Sequence, residues 1–161
     1  MSLNLKEEPY LQGRTFIFSI AKGEDLLPFL QSFAIENQIK FGIITATIGA
    51  VSKATIGIYD QKLKKYNKIT LEKELEILSL QGNISLHDLK PMIHAHITLS
   101  DHSGQAFGGH LMSPTIVFSS EIMISEFTGK QPKIRKMDKT TQLLLWQNPL
   151  HTKKSNVSNK L

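Results

Sequence analysis

The sequence predicts a single α+β domain in which a mostly antiparallel sheet of about seven strands is flanked by one or two helices. Its 161 residues suit one domain. Hydrophobic residues make up 40% of the chain and charged residues 20%, which is a globular composition. Segments of strand character follow one another after the first helix, whereas a parallel α/β fold would alternate strands with helices.

The first part of the chain is interpreted as a strand, a helix and two further strands. Residues 14–21 are rich in aromatic and β-branched side chains, which favours a strand. The acidic residues 24–25 are expected to open a helix and to lie in its first turn. Apolar side chains then recur at helical spacing as far as Asn37. Two separate strands are expected next, at 41–48 and 54–59.

The second part of the chain is interpreted as a run of strands followed by a helix. The expected strands are 66–71, 75–80, 93–100, 105–112 and 115–127, the last being one long strand or a bent pair. Residues 93–100 and 105–112 form a predicted hairpin. Residues 135–146 are expected to form a helix that ends before Pro149.

The net charge of +5 is unevenly distributed along the chain. Residues 1–129 contain 11 basic and 13 acidic residues, whereas residues 130–161 contain eight basic residues and one acid. The basic pI of about 9.4 is therefore a property of the C-terminal region. It is poor evidence that the surface of the folded domain binds nucleic acid. We expect an N-terminal extension at 1–13, a folded domain at 14–146 and a basic tail at 147–161.

Composition also excludes several classes of site. The chain has no cysteine, which rules out disulfides, thiolate zinc sites, iron–sulfur clusters and cysteine nucleophiles. It contains no P-loop, no G-x-S-x-G and no G-x-G-x-x-G motif. The N-terminal ten residues do not resemble a signal peptide, and the apolar runs are shorter than the roughly 20 residues that span a bilayer. A cytoplasmic protein with no membrane partner is expected.

Two histidines, His94 and His96, lie on one face of a predicted strand. Strand alternation places them opposite an apolar face made of Ile93, Ala95, Ile97 and Leu99. The Cα atoms of residues two apart in a strand are separated by about 7 Å, so two imidazoles can converge on one ion. This spacing alone is weak evidence for a metal site.

The following turn brings a third histidine to the same face. A three-residue hairpin loop normally ends in a left-handed residue, and Gly104 suits that position. The numbers of opposed residues then add up to 206, so that His110 faces His96 and Met112 faces His94. A two-residue loop would turn His110 to the other face of the sheet. The predicted register is therefore wrong if the loop has two residues.

The candidate metal ligands are therefore His94, His96 and His110. Three imidazoles without a fourth protein ligand are typical of a zinc site with an open coordination position, which water or a small-molecule ligand would occupy. The alternative interpretation is three unligated histidines that bond to their neighbours on a half-exposed face. The remaining histidines are expected to face solvent: His87, His102 and His151.

Residues around the predicted site allow more than one interpretation. Gly108 and Gly109 either leave room for a ligand or a subunit, or form a β-bulge that would disturb the register. Tyr59 and Tyr66 are expected to be surface packing. Three acidic residues on strands either pair with bases or face solvent, or one of them acts as a general base or supports a histidine: Glu74, Glu76 and Glu121.

An ordered set of motifs runs through the chain. It comprises GAVS at 49–52, YD at 59–60, EILSLQGN at 76–83, HAH at 94–96, GGHL at 108–111, EIMI at 121–124 and RKMD at 135–138. Over roughly residues 14–146, this set resembles the PPC domain (plants-and-prokaryotes-conserved domain) family in its stand-alone prokaryotic type.

The resemblance implies a compact α+β fold assembled as a homotrimer. It also implies zinc, because some bacterial and archaeal members carry this ion on histidines that match His94, His96 and His110. In land plants the domain follows AT-hook motifs in nuclear DNA-binding regulators. An AT-hook needs an Arg-Gly-Arg core, and only Gly13-Arg14 approaches one here. A DNA-associated regulator or a protein-interaction scaffold is the alternative function.

Overall fold

The computed structural model describes residues 9–129 and 131–147. It confirms an α+β domain with a mostly antiparallel sheet. No helix among these residues has both the length and the apolar character needed to cross a bilayer. The elements are β1 (Leu11–Ile20), α1 (Leu26–Glu36), β2 (Gly42–Asp60), β3 (Lys65–Leu71), β4 (Leu75–His87), β5 (Lys90–Ser100), β6 (Ala106–Thr128), β7 (Arg135–Met137) and β8 (Leu144–Trp146).

The main sheet contains six strands in the order β1-β6-β5-β4-β2-β3, and β2 also pairs with β6. Strands β2, β4, β5 and β6 therefore form a closed circuit of antiparallel pairs. Register shifts between β2 and β6 let these long strands bend and change neighbours along their length. Because each long strand continues through its bend, the strands predicted at 41–48 and 54–59 are one strand, as are those predicted at 105–112 and 115–127.

The hydrophobic core lies between α1 and the sheet. Leu26, Leu30 and Ala34 of the helix are fully buried and belong to the same core cluster as Ala95 and Ile97 of β5. Since successive side chains of a strand point to opposite faces, this burial directs His94 and His96 away from the core.

The start of α1 differs from the prediction. The helix begins at Leu26, so the acidic residues precede its first turn, and the Asp25 side chain makes no capping hydrogen bond. Its carboxylate instead accepts hydrogen bonds from the Ser113 hydroxyl and from the Thr115 backbone N–H, the latter at 3.0 Å. The acid thus joins the helix start to β6, a partner that lies 90 residues away in sequence. The predicted helix end at Asn37 is confirmed.

Residues 135–146 do not form the predicted helix. They form the β7–β8 hairpin, in which the Asp138 carboxylate accepts hydrogen bonds from the N–H and the hydroxyl of Thr141 at 2.7 Å. A bridge between Leu86 and Ile134 holds the hairpin against β4. The turn at Asp138 and this docking outweigh the local helical preference of a short segment, because most helix stability comes from packing. Of the predicted tail, 148–161 lies outside the described residues.

Candidate metal centre

The turn after β5 has the predicted conformation. Gly104 has a φ of +78°, and its N–H donates to the Asp101 carbonyl at 2.9 Å. The Asp101 N–H donates to the Gln105 carbonyl at 3.1 Å, which closes the loop. The register of β5 and β6 is then continuous, and His96 faces His110 as predicted.

His94 reaches the same face through a different neighbour. The described ladder between β5 and β6 ends at His96, so the predicted pair of His94 with Met112 is not formed. Met112 instead pairs with Thr55, because β6 turns there to run along β2. His94 faces Asn83 of β4.

The three predicted histidines lie together. Their ring centroids are 5.3 Å apart for His94 and His96, 5.1 Å for His94 and His110, and 5.5 Å for His96 and His110. One ligand atom from each residue lies within 4.8 Å of the others, so the cluster could hold a metal ion. His94 and His110 are half-buried, whereas His96 is exposed. Their role as ligands stays a prediction.

The surroundings favour neutral imidazoles. Burial, followed by the charge of Arg135 and the neighbouring histidines, lowers the pKa of His94 to about 4. Burial is also the main cause that lowers the pKa of His110, and His96 and Arg135 add to it. Because metals bind the neutral form, His94 and His110 need not lose a proton at neutral pH to become ligands.

The donor set fits zinc. The Nδ1 atom of His110 is buried and has no hydrogen-bond partner within the described structure. An unpaired buried nitrogen is costly in a folded protein, and a bound cation in this cluster would offset that cost. Imidazole suits Zn²⁺, whereas Ca²⁺ and Mg²⁺ prefer oxygen ligands, which the cluster does not offer.

Two tyrosines cover His110. The Tyr66 ring stacks on the His110 imidazole at 4.8 Å, and the edge of Tyr59 meets Tyr66 at 5.0 Å. Gly57 faces His110 across β2 and β6, and a Cβ there would lie 2.9 Å from the Tyr66 ring and 2.6 Å from the Met112 methyl carbon. Tyr66 can therefore lie across β2 because Gly57 has no side chain. The sequence interpretation as surface packing missed this contact.

The glycine pair before His110 is not a β-bulge. Gly108 and Gly109 both lie in the uninterrupted β5–β6 ladder. A Cβ on Gly109 would lie 2.9 Å from the Gly57 carbonyl oxygen. Close approach of the β2 backbone, and not a space for a ligand, therefore accounts for this glycine.

Arg135 is a site residue that the sequence analysis missed. It is only 5% exposed, and its guanidinium donates to Ser85 Oγ at 2.8 Å, Asn83 Oδ1 at 2.7 Å and the Leu144 carbonyl at 2.7 Å. Its Nη2 also lies 3.3 Å from Nδ1 of His94. The polar side chains of Asn83 and Ser85, which alternate onto the histidine face of β4, could have indicated a polar partner there. The predicted strand ended at residue 80, so neither residue was assigned to that face.

The other predicted candidates lie outside the cluster. The His102 side chain is 84% exposed and lies 3.6 Å from the Glu74 carboxylate. His87 is half-buried and does not simply face solvent, because its Nδ1 lies 3.4 Å from the Arg135 carbonyl. His151 lies outside the described residues. The two remaining acidic candidates are exposed: Glu76 and Glu121.

Comparison with known proteins identifies a family and closely similar structures. The model of the Plants and Prokaryotes Conserved (PCC) domain matches residues 8–128. The plant- and prokaryote-conserved (PPC) protein of Pyrococcus horikoshii is 35% identical with a TM-score of 0.82, and the match covers 89% of this chain and 98% of that one. A metal-containing protein of Archaeoglobus fulgidus is 38% identical with a TM-score of 0.82, over 89% of this chain and 100% of that one.

Two further similar proteins have names that mention neither the domain family nor a metal. A protein of Bacteroides thetaiotaomicron, whose name assigns DNA binding provisionally, is 27% identical with a TM-score of 0.76, over 86% of this chain and 96% of that one. The bifunctional protein GlmU of Synechococcus sp. (strain JA-3-3Ab) is 27% identical over 114 residues. That match covers 70% of this chain and 17% of GlmU, so the chain spans about a sixth of this relative.

Proposed function

The chain belongs to the Plants and Prokaryotes Conserved domain family, and on this premise we propose that it is a zinc-binding member with His94, His96 and His110 as ligands. The observation that carries the proposal is the convergence of three imidazoles on one sheet face, with one ligand atom of each within 4.8 Å of the others. The Archaeoglobus relative, named as a metal-containing protein, supports it.

The residues of the chain prepare this site in three ways. Strands β5 and β6 hold His96 and His110 directly opposite each other. Burial keeps His94 and His110 neutral, and Tyr66 covers one side of His110. Zinc on three histidines supplies Lewis acidity toward water or the carbonyl group of a small molecule in the open position.

Metal analysis tests this proposal. Full-length protein purified without a metal-affinity resin should contain about one zinc ion per chain. His96→Ala should lower the zinc content toward zero, because two imidazoles hold the ion poorly. His102→Ala is the matched control, since this exposed histidine lies outside the cluster, and it should keep the zinc. A zinc content near zero in the wild-type protein contradicts the proposal.

We also propose that the chain assembles as a cytoplasmic homotrimer, as its family resemblance implies. Exposed apolar side chains provide surface for such an assembly. Ile48 and Leu78 are 59% and 56% exposed on the outward faces of the paired strands β2 and β4. Phe118 of β6 is 51% exposed and lines a cleft together with Ala50 of β2 and Glu76 of β4. An apolar patch of this kind is typical of a protein–protein contact.

DNA association is the second candidate function. The basic region at 130–161 and the name of the Bacteroides relative favour it. Duplex DNA should then bind with an affinity that falls steeply with salt, and deletion of residues 148–161 should abolish binding. Unchanged affinity after the deletion contradicts a role for the tail. A trimer that binds neither zinc nor DNA would instead indicate an assembly scaffold.

A further inference from the structure

Arg135 is a buried cation whose described partners are all neutral. Its guanidinium bonds to a hydroxyl, an amide oxygen and a backbone carbonyl, and no carboxylate within 9–129 or 131–147 forms an ion pair with it. An arginine stays charged even when it is buried. A buried charge without a counter-ion is costly. The face that holds the three histidines therefore carries a fixed positive charge.

A metal ion would increase this imbalance. The metal cluster contains only imidazoles, which are neutral ligands, so a bound Zn²⁺ would add two positive charges close to Arg135. The Arg135 Nη2 atom is only 3.3 Å from His94 Nδ1. Two cations at such short range repel each other strongly in a partly buried site. An anion bound between them would remove this repulsion.

Hydrogen bonding leads to the same conclusion. The Nη2 of Arg135 donates to Asn83 and has His94 Nδ1 as its second neighbour. A metal that binds His94 through Nδ1 takes the lone pair that faces Arg135. A metal that binds through the other ring nitrogen leaves a proton on Nδ1, so that two donors face each other. In both cases one N–H of Arg135 loses its acceptor when metal binds.

We infer that the metal centre selects a small oxyanion as its ligand. This ligand carries a carboxylate or a tetrahedral oxyanion group, which accepts a hydrogen bond from Arg135. This inference rests on the proposed metal site and names the class of ligand that its open position takes. An oxyanion can offer one oxygen to a metal and another to the one N–H of Arg135 that metal binding leaves without an acceptor, in a charge-assisted hydrogen bond. Arg135 lies in β7 of the C-terminal hairpin, which brings it to the histidine face from a segment distant in sequence.

The experiment uses full-length protein in which Co²⁺ replaces zinc, since the visible absorption of cobalt responds to its ligands. Acetate and sulfate are the probes, one for each kind of oxyanion, and acetamide is the neutral counterpart of acetate. Acetate, sulfate or both should change the spectrum saturably, whereas acetamide should not. Arg135→Gln should weaken anion binding by about tenfold or more, the usual size of a hydrogen bond to a charged group.

Lys136→Gln is the matched control, because it removes the same charge from an exposed neighbour on β7 and should leave anion affinity unchanged. Arg135→Lys provides a second variant that keeps the charge if Arg135→Gln fails to fold, and it should restore only part of the affinity. If neither anion changes the cobalt spectrum, or if acetamide changes it equally, the oxyanion inference is wrong, whereas the proposed metal site is unaffected. Wild-type protein that takes up no cobalt overturns the metal site as well.

Discussion

At the residue scale, His94 is held in its neutral form by what packs around it. Burial removes water from the ring, and Arg135 and two further histidines add positive potential, so that its pKa falls to about 4 from the ordinary 6.5. The neutral ring keeps a lone pair, and its Nδ1 lies 3.3 Å from Nη2 of Arg135 in the metal-free structure. The feature that makes His94 a good ligand should therefore also make the metal-free protein sensitive to acid.

Chelator-treated protein should lose stability as the pH falls from about 6.5 to about 4. Above this window His94 is neutral in both states, whereas inside it the unfolded chain binds a proton that the folded chain does not. Urea unfolding should show a loss on the order of 2 kcal/mol more in wild type than in His94→Asn, which cannot take up a proton. Parallel profiles for the two proteins would rule out this account of His94.

At the scale of elements, the cover on His110 depends on how β2, β3 and β6 pair. Gly57 of β2 faces His110 of β6, and Tyr66 of β3 lies over this pair. A side chain at position 57 would occupy the space that the tyrosine ring and Met112 use. The absence of one side chain thus allows two strands to contribute to one site.

Gly57→Ala should lower the free energy of unfolding by about 1–3 kcal/mol, because its Cβ would crowd Met112 and the Tyr66 ring that stacks on His110. Urea titration of metal-free protein measures the loss, and zinc affinity should fall with it. Gly108→Ala is the comparison, since its nearest neighbour would be 3.2 Å away and its φ is not positive. If Gly57→Ala were as stable as the wild-type protein, the strands would adjust freely at position 57.

At the scale of the whole molecule, the closed circuit of β2, β4, β5 and β6 leaves apolar side chains pointing outward. Ile48 and Leu78 lie on neighbouring strands of this circuit, and Phe118 is an exposed aromatic side chain of β6. Side chains that the circuit cannot bury are best covered by another subunit.

Light scattering coupled to size exclusion should give a mass three times the 18.1 kDa of the chain. Ile48→Lys should shift the protein toward the monomer, because it places a charge in the proposed interface. Leu63→Lys is the control, since this residue is 63% exposed in the turn between β2 and β3. A wild-type monomer contradicts the trimer, and an unchanged mass for Ile48→Lys excludes this patch as its interface.

Local rules were sufficient for the centre of the site. Strand alternation places His94 and His96 on one face, and a glycine that can adopt positive φ determines the turn that brings His110 opposite His96. These features depend on residues close together in the chain, so local patterns were enough to predict the histidine cluster.

The residues that surround the cluster come from segments distant in sequence. Arg135 lies 41 residues from His94 in sequence, and Tyr66 reaches His110 from a strand that pairs with neither β5 nor β6. The segment 135–146, predicted to be a helix, forms a hairpin for the same reason, since docking against β4 outweighs its local helical preference. Contacts between distant segments depend on packing of the whole sheet, which no local pattern encodes.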